Sequence, residues 1–439
     1  MPDDNKRVII DVHTHIFNAW DIPLKGYLKT RREYSLIEHF VLGLVSKPLL
    51  WCLRGKRPPE TSPSPGLREN FACWMIRRVT PKSYLRWAHV LAMNVKDIAD
   101  RLRHSYKTYD LSVPLMVDYE YWFASTRDIE IDRQVESVYR NAILLSEGHL
   151  HPFISFCPAR QLAFEKEWLN PDGNREHVDN LQLIEDAVTK WGFIGVKLYN
   201  SVGYRPLNNA AVDAERRRIA LHKNRYRSLT GEDYDRTLHR LYKLCEDKGI
   251  PITTHCQPTG IEGCKGASDT FGAARHWQPV LEQYPKLHLN LAHFGWYQHK
   301  KEGYNSDRSW AKDICSMMES HQNLYADIAH HDLVECAAKE RFVADYKQMF
   351  DEHPIVKQRL LFGTDWHVFV RRKRHEDMHF DFEDTLRKMR NVSESEMNDL
   401  FGGNAMRFLG LRPGEPNHIR LKEFYARESI APPSWFPNA

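Results

Sequence analysis

From residue 112 onward, short apolar runs alternate with longer stretches whose apolar residues recur at helical spacing, and this restricts the fold more than any other feature. The runs are VPLMVD (113–118), PFISFC (152–157), FIGVKLY (193–199), IPITTH (250–255), LHLNLAH (287–293), NLYADIA (323–329) and RLLFGTD (359–365). An earlier run, VIIDVHTH at 8–15, makes eight. Helix-like segments at 129–145, 180–191, 234–248, 272–283, 310–319 and 342–350 fill the gaps. Strand and helix in strict alternation call for a parallel sheet with helices outside, and eight such units predict an α/β (β/α)8 TIM barrel. A barrel of this kind keeps its active site at the C-terminal ends of its strands.

The alternation is interrupted once. Residues 19–110 show helical stretches at 34–44, 69–78 and 84–103, broken by RGKRPPETSPSPG, and are expected to form a mainly helical insertion after the first strand. The barrel then spans 1–18 and 111–411, and a proline-bearing extension, 412–439, is expected to be irregular and packed outside. Charge is uneven: residues 1–110 hold 19 Lys and Arg against 11 Asp and Glu, a surplus of 8 in a chain whose net charge is +4. The surplus belongs to the insertion, with Trp20, Trp51, Trp74 and Trp87 interleaved, and suits either a solvated cap or a contact with a partner. The eight cysteines show no CxxC pair, so they read as reduced thiols of a cytoplasmic protein. The N-terminus lacks the pattern of a signal peptide, and no apolar run is long enough for a membrane span.

Polar residues fall where a barrel enzyme needs them. Strand one ends in His13 and His15, whose alternate spacing turns both imidazoles the same way. Strand four carries Lys197, strand five ends in His255, strand six in His293 and strand eight in Asp365. Imidazole and carboxylate bind Zn(II) or a similar divalent ion, with Mn and Fe also suited, and Asp365 can in addition accept a proton. Lys197 is the odd member, because an ammonium repels a cation; it serves as a ligand only when CO2 converts its amine to a carbamate bridging two metals. Arg205, in GYRPL after strand four, suits a bidentate grip on a substrate carboxylate, and His330, Asp332 and His367 lie just beyond strands seven and eight. Cys256 follows His255 and points away from it, toward packing.

The set HTH, GVKLY, PITTH, NLAHFG and LFGTD, in that order, resembles the amidohydrolase superfamily, especially its amidohydrolase-related branch of metal-dependent hydrolases. The likeness runs over 7–18 and 112–410 and includes FGGNAMRFLGL, similar to that branch's closing helix. It implies metal positions at His13, His15, His255 and Asp365, and a second-metal or substrate position, with a catalytic part, at His293. GVKLY resembles the lysine segment of dihydroorotase-like members, which implies N6-carboxylysine at Lys197 and one or two metals per chain. Decarboxylases of the branch work with one metal, and several have an acid near the HxH where this chain has Val12 and Thr14.

The expected activity is hydrolysis of an amide, cyclic amide, ester or lactone bond of a small molecule, with metal-activated water as the nucleophile. Nonoxidative decarboxylation of an aromatic or unsaturated acid is the rival on the same fold, with Lys197 as a plain ammonium. A binding protein acting through the basic insertion is the rival of another class, although binding alone needs none of the six ligand candidates. Nucleic acid is not an expected partner; a homo-oligomer is, since barrels of this resemblance often assemble.

Overall fold

The structure, a computed structural model, describes residues 7–23, 26–27, 82–123, 129–168, 178–212, 228–258, 260–296, 309–331, 336–370 and 374–437. The expected helices at 34–44 and 69–78, together with Trp51, Trp74 and Asp332, lie outside the described residues.

Eight parallel strands follow one another in chain order: β1 (Ile10–Thr14), β2 (Leu111–Pro114), β3 (Phe153–Ser155), β4 (Gly195–Leu198), β5 (Ile252–His255), β6 (Leu289–Ala292), β7 (Leu324–Asp327) and β8 (Leu360–Leu361). Two ladders hold them, β1 with β2 and β3 through β8 in sequence order. Single contacts join the ladders. Ser112 bridges to Leu150 and Leu115 to Phe153 on one side. On the other, the Val12 N–H donates to Phe362 O at 3.0 Å and the Asp365 N–H to His13 O at 2.7 Å. The strands therefore complete a ring, the (β/α)8 arrangement that the alternation predicts.

Every strand residue is buried, as expected of strands with helices outside and packed side chains inside. The helix Gly231–Lys248 shows how the outer layer forms. Thr230 and Asp233 make a reciprocal capping box at its start, and Gly249 closes it at φ +57°. Between them Tyr234, Leu238, Leu241, Tyr242 and Cys245 recur on one face and are buried, each contributing roughly 1.5–3 kcal/mol for a large apolar side chain.

Three expectations change at this level. The second strand ends at Pro114, short of 118, because Asp118 is drawn out of line onto Arg160: Nε donates to Oδ2 at 2.7 Å and Nη2 to Oδ1 at 3.1 Å. The stretch 84–103 is two helices, Lys82–Leu91 and Val95–Ser105, because Asn94 caps the second by accepting from the Asp97 N–H at 2.8 Å. The extension after 411 is not irregular. Pro416 sits at the first turn of a helix, Pro416–Glu428, and Trp435 and Phe436 beyond it are buried. Among the described residues no helix is long and apolar enough to cross a membrane.

Asn404 ties the closing helix Asn404–Phe408 to the ring: its Nδ2 donates to Lys357 O and Leu360 O, both at 2.8 Å. Asn404→Ala removes both bonds and strands a buried carbonyl at the head of β8. A loss of about 2 kcal/mol is expected, measured as a lower urea midpoint with an unchanged denaturant slope.

Candidate metal centre

β1 sends Asp11, His13 and, just past its end, His15 to one face, because strand side chains alternate. Each imidazole is then fixed by what its Nδ1 meets. His13 Nδ1 lies 3.0 Å from Asp327 Oδ2, both groups fully buried. His15 Nδ1 donates to Leu115 O at 2.7 Å, and His293 Nδ1 to Ala329 O at 2.9 Å. A carbonyl can only accept, so the proton sits on Nδ1 and the lone pair on Nε2, the form in which histidine binds a metal. His13 Nε2 is buried with no hydrogen-bond partner among the described residues, the signature of an atom awaiting a ligand.

Two sets of ligand atoms gather within 4.8 Å of one another: His13 with His15 and Asp365, and His13 with His293 and Asp327. Asp365 sits at φ +55°, left-handed for a residue with a Cβ. The bond from its N–H to His13 O fixes that turn, and places Oδ1 3.4 Å from His15 Nε2 and Oδ2 3.4 Å from His330 Nδ1. Burial pushes the Asp365 carboxyl up, but His15, His330 and His13 together hold it well below the usual carboxylate range. The donor set, imidazole nitrogens with an ionised carboxylate, fits a divalent ion of the zinc type.

Asp327 and Asp11 are the residues that strand-end reasoning missed. Asp327 accepts from His13 Nδ1, from Asn290 Nδ2 at 2.8 Å, from the His293 N–H at 2.9 Å and from the Ala329 N–H at 3.0 Å. Burial opposes its charge, yet His13 and these donors hold it far below its usual range. Asp11 accepts from Thr364 Oγ1 at 2.6 Å, the Thr364 N–H at 3.0 Å and the His13 N–H at 3.1 Å; burial outweighs them and pushes its pKa up to about 7. Both were legible as acids in register with the histidines, Asp11 two residues before His13 and Asp327 at the end of NLYADIA.

Lys197 is 1% exposed, with Nζ 4.8 Å from the Tyr199 ring centroid and without a hydrogen-bond partner among the described residues. Burial lowers its pKa to about 8, against the pull of Asp327 and Asp365. Ser155, Lys197, Thr253 and Asn290 are lateral neighbours in register across β3 to β6, a polar band in which Ser155 Oγ and Asn290 Oδ1 are also buried without partners.

The remaining expected residues lie variously. The His255 ring is 4.9 Å from that of His293 and stacked at 5.4 Å on Tyr199, while its nitrogens fall outside both clusters. A Cβ on Gly260 would stand 2.7 Å from His255 Nε2, so glycine is required there at φ +127°. His330, at φ +67° and one-third exposed, stands at the mouth beside Asp365. Arg205 Nε donates to Thr270 O at 3.2 Å, held by the loop after β5. Both His367 nitrogens are engaged, Nε2 with Phe17 O at 2.7 Å and Nδ1 with Trp87 Nε1 at 3.1 Å, leaving neither for a substrate.

The chain was also compared with known proteins. No curated protein matched the sequence. Among solved structures, the fold is similar to an amidohydrolase from Burkholderia multivorans with bound HEPES, at 13% identity and TM-score 0.43, covering 74% of this chain and 91% of that one. It is also similar to amidohydrolase 2 from Bifidobacterium longum subsp. infantis, at 12% identity and TM-score 0.41, covering 92% and 99%. A third is glucuronate isomerase from Caulobacter crescentus, at 11% identity and TM-score 0.45, covering 93% and 92%. The family model described as amidohydrolase matches residues 10–411 of the 439, nearly the whole ring and its closing helix, and the chain therefore belongs to the amidohydrolase family.

Proposed function

We propose that this protein is a metal-dependent hydrolase that cleaves an amide, cyclic amide, ester or lactone bond of a small molecule. The observation that carries this reading is the orphaned His13 Nε2, buried where His15 and Asp365 converge. His13, His15 and Asp365 would hold one divalent ion, zinc in the first instance with Mn or Fe as substitutes, and His293, His255 and Lys197 would serve a second position. Such an ion supplies Lewis acidity and lowers the pKa of water in contact with it to about 7.

The chain's own residues supply the rest. Asp365, kept ionised, accepts the proton of the attacking water and returns it to the leaving group. His330, 3.4 Å from its Oδ2 and open to solvent, stands where a substrate or departing proton must pass. Asp327 holds His13 in the tautomer that offers Nε2. Arg205 serves the wall of the β5 loop, and His367 braces the site from outside it.

Lys197 favours one of two branches. A carbamate on its amine would bridge two ions and fits hydrolysis; a bare ammonium is matched by a substrate carboxylate and fits decarboxylation. The unbonded buried Nζ is the observation that keeps the second reading in play. Release of CO2 rather than ring or amide opening, across a panel of lactones, cyclic amides and unsaturated acids, would replace the first reading with the second.

Purified protein is expected to carry one or two equivalents of divalent metal per chain by elemental analysis. Asp327→Asn should keep the fold and weaken Zn2+ binding about 10- to 100-fold, as loss of a carboxylate behind a histidine ligand does. Metal-free wild type together with a His13→Ala variant of undiminished activity would remove the metal from the reading.

The stability of the metal-free protein should also report on Lys197. Its folded pKa, about 8, lies below the usual 10.5, so burial of the ammonium costs stability fully below pH 8, and the cost is relieved as pH rises to 10.5. Lys197→Met in CO2-depleted buffer is therefore expected to be more stable than wild type at pH 7, by up to about 3 kcal/mol. That advantage should vanish toward pH 10.5 in chemical denaturation. Added bicarbonate erases it at pH 7 when a carbamate forms, and leaves it unchanged when the amine stays bare.

A further inference from the structure

We infer that His367 is a positioning residue that couples the segment inserted after β1 to the metal ligands. The proposal rests on the metal-binding reading of the site and assigns a role to residues that touch neither metal nor substrate.

Three parts of the chain, far apart in sequence, meet on this one fully buried imidazole. Its own segment is the short helix Trp366–Phe369, which begins directly after Asp365. The second part is the loop leaving β1, where His367 Nε2 donates to Phe17 O at 2.7 Å. The third is the helix Lys82–Leu91, whose Trp87 Nε1 donates to His367 Nδ1 at 3.1 Å. The directions are forced: a carbonyl only accepts and an indole N–H only donates, so the imidazole is neutral with its proton on Nε2. A tautomer read from both partners is a device for holding two segments at once.

What it holds lies next to the ligands. The Phe17 ring stacks on His367 at 4.3 Å and 24°, and it also meets the His15 ring, edge-on at 5.6 Å. Asp365, two residues before His367, approaches His15 Nε2 through Oδ1. His15 and Asp365 thus have His367 behind them, one through Phe17 and one through the backbone. A second tie joins the same inserted helix to the same loop, the Ala19 N–H donating to Leu91 O at 2.9 Å. Movement of Lys82–Leu91 is therefore transmitted to the pair of ligands, and ordering of the ligands by a metal is transmitted back to the helix. The relation is reciprocal, as any coupling between two sites must be.

The test is competition for Zn2+ between the full-length protein and a chromophoric chelator. His367→Phe keeps the ring and the stack on Phe17 but removes both hydrogen bonds; Trp87→Phe removes only the indole donor. Each is expected to bind Zn2+ about 10-fold more weakly than wild type, the lower end of what loss of an outer support costs. Because both act through one bond, the double variant should be little worse than His367→Phe alone. His367→Gln, which restores a donor and an acceptor, should recover most of the loss, a rescue that a purely space-filling role would not produce. Thermal unfolding identifies any variant that fails to fold, and Trp87→Phe, the milder change, carries the test if His367→Phe does. Folded variants that bind Zn2+ as tightly as a metal-binding wild type overturn the coupling and leave the metal reading standing. A wild type that takes up no Zn2+ overturns both.

Discussion

A carboxylate sealed inside a barrel stays charged only if N–H groups replace the water it has lost. Asp327 is where this protein meets that requirement, and the rest of the site is arranged around it. Its donors come from three strands: His13 from β1, Asn290 and the backbone of His293 from β6, and its own turn after β7. Satisfying the charge therefore draws β1 against β6 and β7 at one level of the ring. It also fixes the proton of His13 on Nδ1, which aims an unprotonated Nε2 at the open end. The same carboxylate anchors the His293 N–H, from which the chain turns through His293 and Phe294 at φ +64° and +52°. Strain of this kind persists only where the surroundings over-determine it.

The seam between β8 and β1 carries the complementary constraint. β8 is two residues long, and no regular ladder joins it to β1. What closes the ring there is side-chain chemistry, Asp11 accepting from the hydroxyl and N–H of Thr364, together with two backbone bonds, from Val12 to Phe362 and from Asp365 to His13. A ladder would keep residue 365 extended and send its carboxylate along the strand. Released from the ladder, Asp365 takes the left-handed turn that brings its oxygens to His15 and His330. A join without a regular ladder is thus where the residues beyond β1 and β8 can be set against each other freely.

Much of this was legible in the chain. The eight apolar runs fall on the eight strands, and the six ligand candidates sit in or just past strand ends, because strand parity and barrel geometry are local rules that sequence obeys. What was not legible depends on pairings across hundreds of residues. Asp327 reads as one more polar residue in NLYADIA until His13, 314 positions away, is seen to need it. His367 looks like a substrate contact from its place after β8, and only the indole of Trp87 shows that both nitrogens are engaged. Arg205 looks free in GYRPL and is held by the carbonyl of Thr270. Trp87 reads in the sequence as one of four tryptophans interleaved with the insertion's basic residues, on a solvated cap or a partner-facing surface, whereas its indole donates to His367.

The polar band below the ligands explains why such a site is expensive to build and hard to replace. A ring of eight strands gains most when its interior is filled by branched apolar side chains, yet across β3 to β6 the inward layer holds Ser155, Lys197, Thr253 and Asn290. Thr253 and Asn290 partly satisfy each other, Asn290 Nδ2 lying 3.3 Å from Thr253 Oγ1, while Lys197 Nζ finds no hydrogen-bond partner among the described residues. A buried ammonium that Asp327 and Asp365 offset only in part, with two oxygens that find no partner among the described residues, works against folding in this layer, and nothing in packing requires them. The ring is therefore held away from its own stability optimum in the layer that adjoins the clustered imidazoles and carboxylates.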